Sequence, residues 1–338
     1  MRPFIANVGT SALVINSEDI LAYYVYIPRY KYKIWTTSTG SSPQEIEIVF
    51  ENKYTSKSSG NSVGEYLTHP AFTFGKEEIS GFWVGKFETT GDTTTPTVLP
   101  NETAITNKNL STQFAVAIKF AGGNQNGVSV YYSGNSTYGL TANTNAHIMK
   151  NSEWGAVSYL AHSLYGINNE VRINNNSSYT TGCGATSANA SSSGSCGNYF
   201  GSTSNYPQST TGNITGIFDM SGSAFEYVMG NHSNTMSNSG FDSTWFNEIS
   251  NQKYYDLYLS NVFTGTNLTN VTFCTIETCG GHALFETASW YSDFAYFVVS
   301  GSPWFLRGAR YDDVGDFRYV GLDGAAGTDA GFRTVLVP

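Results

Sequence analysis

The sequence predicts an α+β fold of short strands, few helices and long loops. Three observations carry the prediction. Apolar and aromatic residues alternate with polar ones in several short runs, one segment repeats its apolar residues at three- and four-residue spacing, and a central stretch is too rich in Asn, Ser, Thr and Gly for either period. With 338 residues, 40% of them hydrophobic and 15% aromatic, the chain can pack a core without help from a metal or partner.

Residues 1–21 read as an N-terminal lead-in. Its start, MRPFIANVGTSALVI, has one Arg and an apolar stretch broken by Asn7, Thr10 and Ser11, so it is a poor signal peptide and any export signal is expected outside this chain. Residues 22–338 read as one domain, because no composition shift is sharp enough to mark a linker and no repeat of fixed period appears. LAYYVYIPRYKYKIW and, after a Ser/Gly/Pro turn, EIEIVFE read as strands. The only basic cluster, Arg29-Tyr30-Lys31-Tyr32-Lys33, alternates with period two and predicts a strand with one solvated face; a polyanion site is the alternative. Residues 53–64 are a loop, GFWVGKFETT is another strand, and 101–146 reads mostly as loop. MKNSEWGAVSYLAHSLYG is the clearest helix: Asn151 or Ser152 can cap it, Trp154, Val157, Leu160, Ala161 and Leu164 share one face, and Gly166 ends it. Residues 168–215 are then a polar excursion on the scaffold. In the tail, Trp290, Tyr291, Phe294, Tyr296, Phe297, Trp304 and Phe305 are broken by Gly and Ser, which fits short strands and turns.

Charged residues make up only 13% and the net charge is −9, so nucleic acid is excluded as a partner, since phosphate binding needs clustered Lys and Arg. No run approaches the roughly 18 apolar residues of a membrane span. The abundance of Gly, Ser, Thr, Asn and Tyr suits an exported or surface protein. Cys183 and Cys196 bracket GATSANASSSGS, and Cys274 and Cys279 bracket TIET; neither spacing suits a metal, so two local disulfides are expected, with free buried thiols as the alternative.

Catalytic motifs are missing. His69, His147, His162, His232 and His282 form no HxH, HExxH or i,i+4 pair, and there is no GxSxG, GxGxxG or P-loop. Glu153 and Glu226 each sit beside an aromatic; a carboxylate there could be an acid catalyst with a raised pKa, but anchors hydrogen-bonded to backbone are the expectation.

Four segments in order resemble landmarks of the C-type lectin fold of the formylglycine-generating-enzyme (sulfatase-modifying factor) type. They are GFWVGKFETTGD, MKNSEWGAVSYLAHSLYG, GIFDMSGSAFEYVMG, and PWFLRGARY followed by AGFRTVL. They span nearly the whole chain. The enzyme's cysteines lie between the last two segments, and residues 308–331 contain none, so the resemblance implies the scaffold without the oxidase chemistry. It also implies a structural Ca²⁺ held by Asp219, the carbonyls of Gly222 and Ala224, and Glu226; the alternative is that both acids simply hydrogen-bond the turn. No cofactor is otherwise required.

The same scaffold is used by variable proteins of diversity-generating retroelements, whose C-terminal stretch is rewritten chiefly at Asn codons. This chain has 30 Asn and 10 Lys, yet none of either from His282 to Pro338, where about six Asn would be expected at the upstream frequency. Randomising the first two bases of AAC or AAT removes most Asn and never yields Lys, Glu, Gln or Met, and from Thr287 onward none of these five occurs. The resemblance therefore implies a non-enzymatic display protein on a virion or cell surface. Its variable region, 287–333, would bind a protein or glycan receptor through Ser289, Ser292, Asp293, Ala295, Tyr296, Tyr311, Asp312, Asp313, Val314, Asp316 and Tyr319. Trp290, Pro303, Trp304, Phe305, Arg307, Gly308, Gly331, Phe332 and Arg333 would be the fixed scaffold between them. Tyr, Asp, Ser and Ala suit a paratope, because Tyr gives rigid contact area and small residues make room for it. A fixed pilin-like or adhesin subunit, and a formylglycine-generating-type enzyme with a relocated centre, are the alternatives.

Overall fold

A computed structural model describes residues 4–6, 15–34, 42–184, 200–259, 279–288, 290–313 and 315–338. The strands that organise them are β1 (Phe4–Ala6), β2 (Ile20–Pro28), β3 (Tyr30–Ile34), β4 (Ile46–Phe50), β5 (Gly81–Gly85), β6 (Asn145–Ile148), β7 (Phe225–His232), β8 (Asp256–Tyr258), β9 (Trp304–Arg307), β10 (Tyr319–Leu322), β11 (Ala330–Phe332) and β12 (Thr334–Val337). The two longest helices among the described residues are α1 (Leu110–Ala117) and α2 (Asn151–Ala161). The result is a mixed α+β structure dominated by short strands in several small sheets.

The first five-stranded sheet runs β1-β2-β5-β12-β6, antiparallel throughout. Part of the stretch read as a lead-in is thus a strand of this sheet, with Phe4 opposite Tyr23. The basic cluster alternates as its period requires. Tyr30 and Tyr32 are fully buried, Lys31 and Lys33 are partly buried, and Lys33 pairs with Glu47 on β4 at 3.0 Å. Arg29 points inward instead, to Glu78 at 2.7 Å, so the cluster offers no continuous basic surface.

The second sheet runs β8-β7-β9-β10, with β11 alongside β7. β7 lies parallel to β8 and β11 and antiparallel to β9, placing Glu226 opposite both Arg307 and Gly331. The four segments that carry the family resemblance meet here. Glu88 accepts from Ser223 Oγ at 2.9 Å and from the Ala224 amide at 3.1 Å, and the Arg307 guanidinium lies 5.8 Å from the Trp154 ring.

Residues 101–146, expected to be loop, contain α1, the strands Gly123–Asn126 and Ser129–Tyr132, and the start of β6. Asn109 caps α1 by accepting from the Thr112 amide at 3.1 Å, and Leu110 and Phe114 are buried one turn apart. In α2 the cap is neither Asn151 nor Ser152: Lys150 is the N-cap residue and Glu153 reaches back to its amide at 2.8 Å. The helix ends at Ala161, before Gly166, which leaves Leu164 78% exposed rather than on the buried face. The excursion 168–215 is also less superficial than its composition suggests. Asn174, Asn176, Asn205, Gln208 and Ser209 are buried, with Asn174 Nδ2 donating to Asp219 at 2.8 Å and Asn205 Nδ2 to the Gly182 carbonyl at 2.8 Å.

Candidate ligand-binding face

The C-terminal tail is built on β9, every residue of which is buried; Trp304 and Phe305 are 0% exposed. The chain leaves β9 through Gly308, where φ is 65° and a Cβ would sit 2.8 Å from the Met220 carbonyl oxygen, so only Gly fits. β10 pairs antiparallel with β9. A strap over residues 294–296 then lies along β10, with Tyr296 N donating to Tyr319 O at 2.9 Å and Tyr319 N to Phe294 O at 3.1 Å.

This strap presents aromatics outward. The Phe294 and Tyr296 rings stack 4.6 Å apart, and Phe294 is 44% exposed. The Arg318 guanidinium lies 5.0 Å from the Phe294 ring and pairs with Asp313 at 3.2 Å. Arg310 pairs with Asp312 at 2.7 Å and with Asp329 at 3.4 Å, and the Tyr311 ring lies 6.3 Å from that of Tyr179. Aromatic faces, two guanidinium groups and several carboxylates therefore adjoin on one exposed surface, a mixture suited to polar recognition.

Of the eleven predicted face residues, Ser292 and Asp312 are exposed, and Ala295, Tyr296, Tyr311 and Asp313 are partly exposed. Three are corrected: Asp293, Asp316 and Tyr319 are 5%, 0% and 1% exposed. Tyr319 stands opposite Arg307 in the β9–β10 pair, and the Arg307 guanidinium covers its ring at 5.3 Å. Asp316 turns inward to His162 Nε2 at 2.9 Å, and Asp293 accepts from the Phe317 amide at 3.2 Å. Ser289 and Val314 lie outside the described residues. The scaffold positions Trp290, Trp304, Phe305, Arg307, Phe332 and Arg333 are all buried, as are Pro303, Gly308 and Gly331. Phe294, Arg310 and Arg318 were missed on the surface; for Phe294 hydropathy pointed the other way, since it is exposed beside buried Asp293.

In the loop resembling a calcium site both carboxylates already have partners. Both Glu226 oxygens accept from Arg333, Asp219 accepts from Asn174 Nδ2 at 2.8 Å and from the Gly182 amide at 2.7 Å, and Gly222 packs on the Asn174 backbone. Arg333 also donates to the Gly85 and Phe218 carbonyls at 2.8 and 2.9 Å, so it is fixed in place. The Arg333 guanidinium already brings positive charge to both carboxylates, so a cation at this loop would compete with it. Burial pushes the Asp219 carboxyl up to about 6, against the pull of those hydrogen bonds and of Arg333.

Glu153 is a backbone anchor, binding the Lys150 amide at 2.8 Å and also His147 Nε2 at 3.0 Å, whereas Glu226 is held by the Arg333 side chain. Among the described residues both cysteines, Cys183 and Cys279, are disulfide-bonded, while Cys196 and Cys274 lie outside them. A groove of 320 Å³ beside α1, lined by Thr112, Gln125, Phe241 and Trp245 among others, includes none of the predicted face residues. No described helix is long and apolar enough to cross a membrane. No family model matches the sequence, and no curated protein matches it.

Proposed function

We propose that the chain is a non-enzymatic display protein on a C-type-lectin-type scaffold, a variable protein of a diversity-generating retroelement that binds a protein or glycan receptor at a cell or virion surface. The observation that carries this reading is the partition of the tail. Trp304, Phe305 and Phe332 are fully buried, while Ser292, Phe294 and Tyr296 before them and Tyr311, Asp312 and Asp313 between them reach the surface. A backbone fixed in this way tolerates exchange of its outward side chains, because a packed core resists volume changes and a surface does not. The disulfide-bonded state of Cys183 and Cys279 supports a reading without thiol catalysis.

The burial of Asp293, Asp316 and Tyr319 favours a second reading, a fixed adhesin-type subunit, because these positions could not be randomised freely. Sequencing the gene from many isolates decides between them. Diversification predicts replacements concentrated at Ser292, Tyr296, Tyr311, Asp312 and Asp313 and drawn from codons ending in C or T. An invariant tail, or changes spread evenly along the chain, would overturn it.

A further inference from the structure

The turn that follows α2 and two separate segments of the tail bring three carboxylates together. One oxygen from each of Glu170, Asp293 and Asp316 lies within 4.8 Å of the others. Asp293 and Asp316 are 95% or more buried, being 5% and 0% exposed, and Glu170 is half-buried. No protein donor reaches Glu170 Oε1, Asp293 Oδ1 or Asp316 Oδ1, and the Glu170 and Asp293 carboxyls lie within hydrogen-bonding reach of each other. The remaining oxygens of the two aspartates are committed, to the Phe317 amide and to His162 Nε2. None of the ion pairs seen among the described residues joins a Lys or Arg to any of the three; the Arg307 guanidinium, which feels the charge of Asp316, donates to the Ala283 carbonyl at 3.1 Å.

Gly315 makes this closeness attainable. Its φ is 121°, and a Cβ there would lie 2.3 Å from the Asp293 carboxylate, so any other residue would push that acid away. Burying three carboxylates with orphaned oxygens and no cation is costly, and two occupants can relieve it: protons or a metal ion. We propose that Glu170, Asp293 and Asp316 form a divalent-cation site, with Glu170 Oε1, Asp293 Oδ1 and Asp316 Oδ1 as its protein ligands and water completing the shell.

Ligand chemistry selects the ion. An all-carboxylate donor set suits a hard cation over zinc or copper. Three oxygens within 4.8 Å of one another can meet on one calcium ion, whose oxygen distances run about 2.3–2.6 Å and which accepts irregular shells; magnesium, at about 2.0–2.1 Å, demands near-octahedral order. Calcium is therefore the ion assigned. Half-buried Glu170 provides the entry side. The site is separate from the Asp219–Glu226 loop, whose charge is balanced by Arg333. In the absence of the ion Glu170 and Asp293 hold protons: burial first, then repulsion from the neighbouring carboxylates, pushes Glu170 up to about 8 and Asp293 up to about 10. Bound calcium would tie the turn after α2 to the segments at Asp293 and Asp316, fixing the base of the exposed strap. This inference does not depend on the tail being diversified.

The test is calorimetric titration of CaCl₂, and separately MgCl₂, into the chelator-treated full chain, with E170Q and D293N/D316N in parallel. E170Q changes the half-buried ligand alone and should keep the fold; circular dichroism confirms this for both variants. Expected are one saturable calcium site, weaker magnesium binding, a melting temperature that rises with calcium, and affinity lowered about tenfold or more in E170Q. Absence of saturable uptake by the wild-type chain, with D293N/D316N melting higher than it, would mean that shared protons suffice and would overturn the site. Uptake undiminished in folded E170Q would place the ion elsewhere and equally overturn it.

Discussion

Among the described residues, two clusters of three carboxylates are treated differently by the fold. Around β7, Glu88, Asp219 and Glu226 share the fully buried Arg333, and Glu226 is bound by it through both oxygens. Near the tail, among the described residues, Asp316 has His162 and Asp293 has the Phe317 amide, and no Lys or Arg forms an ion pair with them or with Glu170. A further buried acid, Glu286, shows that charge is not the only remedy, since it is surrounded by neutral donors: the hydroxyls of Ser62, Tyr32 and Tyr159 and the Gly281 amide. The difference teaches where to look for ligands. A cluster that the fold satisfies internally is architecture, whereas one left with unpartnered oxygens invites something from outside.

The largest effect should follow from breaking the satisfied cluster. Arg333→Met leaves Glu226 and its two neighbours without a cation and orphans the Gly85 and Phe218 carbonyls. Removing one partner of a buried pair typically costs about 3–5 kcal/mol. Urea unfolding measures it, and a loss below about 1 kcal/mol would mean that the acids around Arg333 are already protonated and need no partner.

A smaller effect sharpens the comparison with a buried group held neutral. Burial, with the nearby His282 and Lys150 adding to it, depresses His69 well below its ordinary 6.5, and Tyr30, Tyr32, Phe72 and Tyr159 surround its ring. The unfolded chain takes up a proton there below about 6.5 while the folded chain resists it. His69 therefore contributes stability that is present above pH 6.5 and lost as pH falls below it. His69→Gln should be less stable throughout but lose stability less steeply between about pH 6.5 and 5, the slopes differing by up to about 1.4 kcal/mol per pH unit. Parallel curves for wild type and variant would show that His69 is not kept neutral.

Local signals carried much of the architecture. Alternation located β2, β3, β4 and β5, and three- and four-residue spacing located α2. The eight residues of α1 hold too few turns for that spacing to stand out. The candidate site was legible in one dimension only. Missing Asn can mark positions open to rewriting, but it says nothing about direction. Asp293 is followed by Phe294, and in the fold the acid is buried while the ring is exposed, the reverse of their hydropathies. Asp316 finds His162 a distance of 154 residues away along the chain. Burial of an acid is decided by such remote partners, which no short window contains.

The smallest effects should come from the outward residues of the strap and its neighbouring loop. Ser292 and Asp312 are exposed and Tyr296 and Asp313 are partly so. Asp312 and Asp313 do form ion pairs, with Arg310 and Arg318, but all four side chains are at least partly solvated, where such pairs contribute roughly 0–1 kcal/mol. Replacing each of the four residues by Ala should therefore shift stability by about 0.5 kcal/mol or less, with Tyr296 at the upper end because its ring stacks on Phe294. The same changes should abolish capture of whatever receptor the proposed face recognises, since Tyr supplies much of the rigid contact area of such surfaces. Denaturation of each variant gives the first quantity. If Tyr296→Ala alone removed several kcal/mol, the strap would be part of the core, and the exposed surface beside the unsatisfied acids would have to be read as structure too.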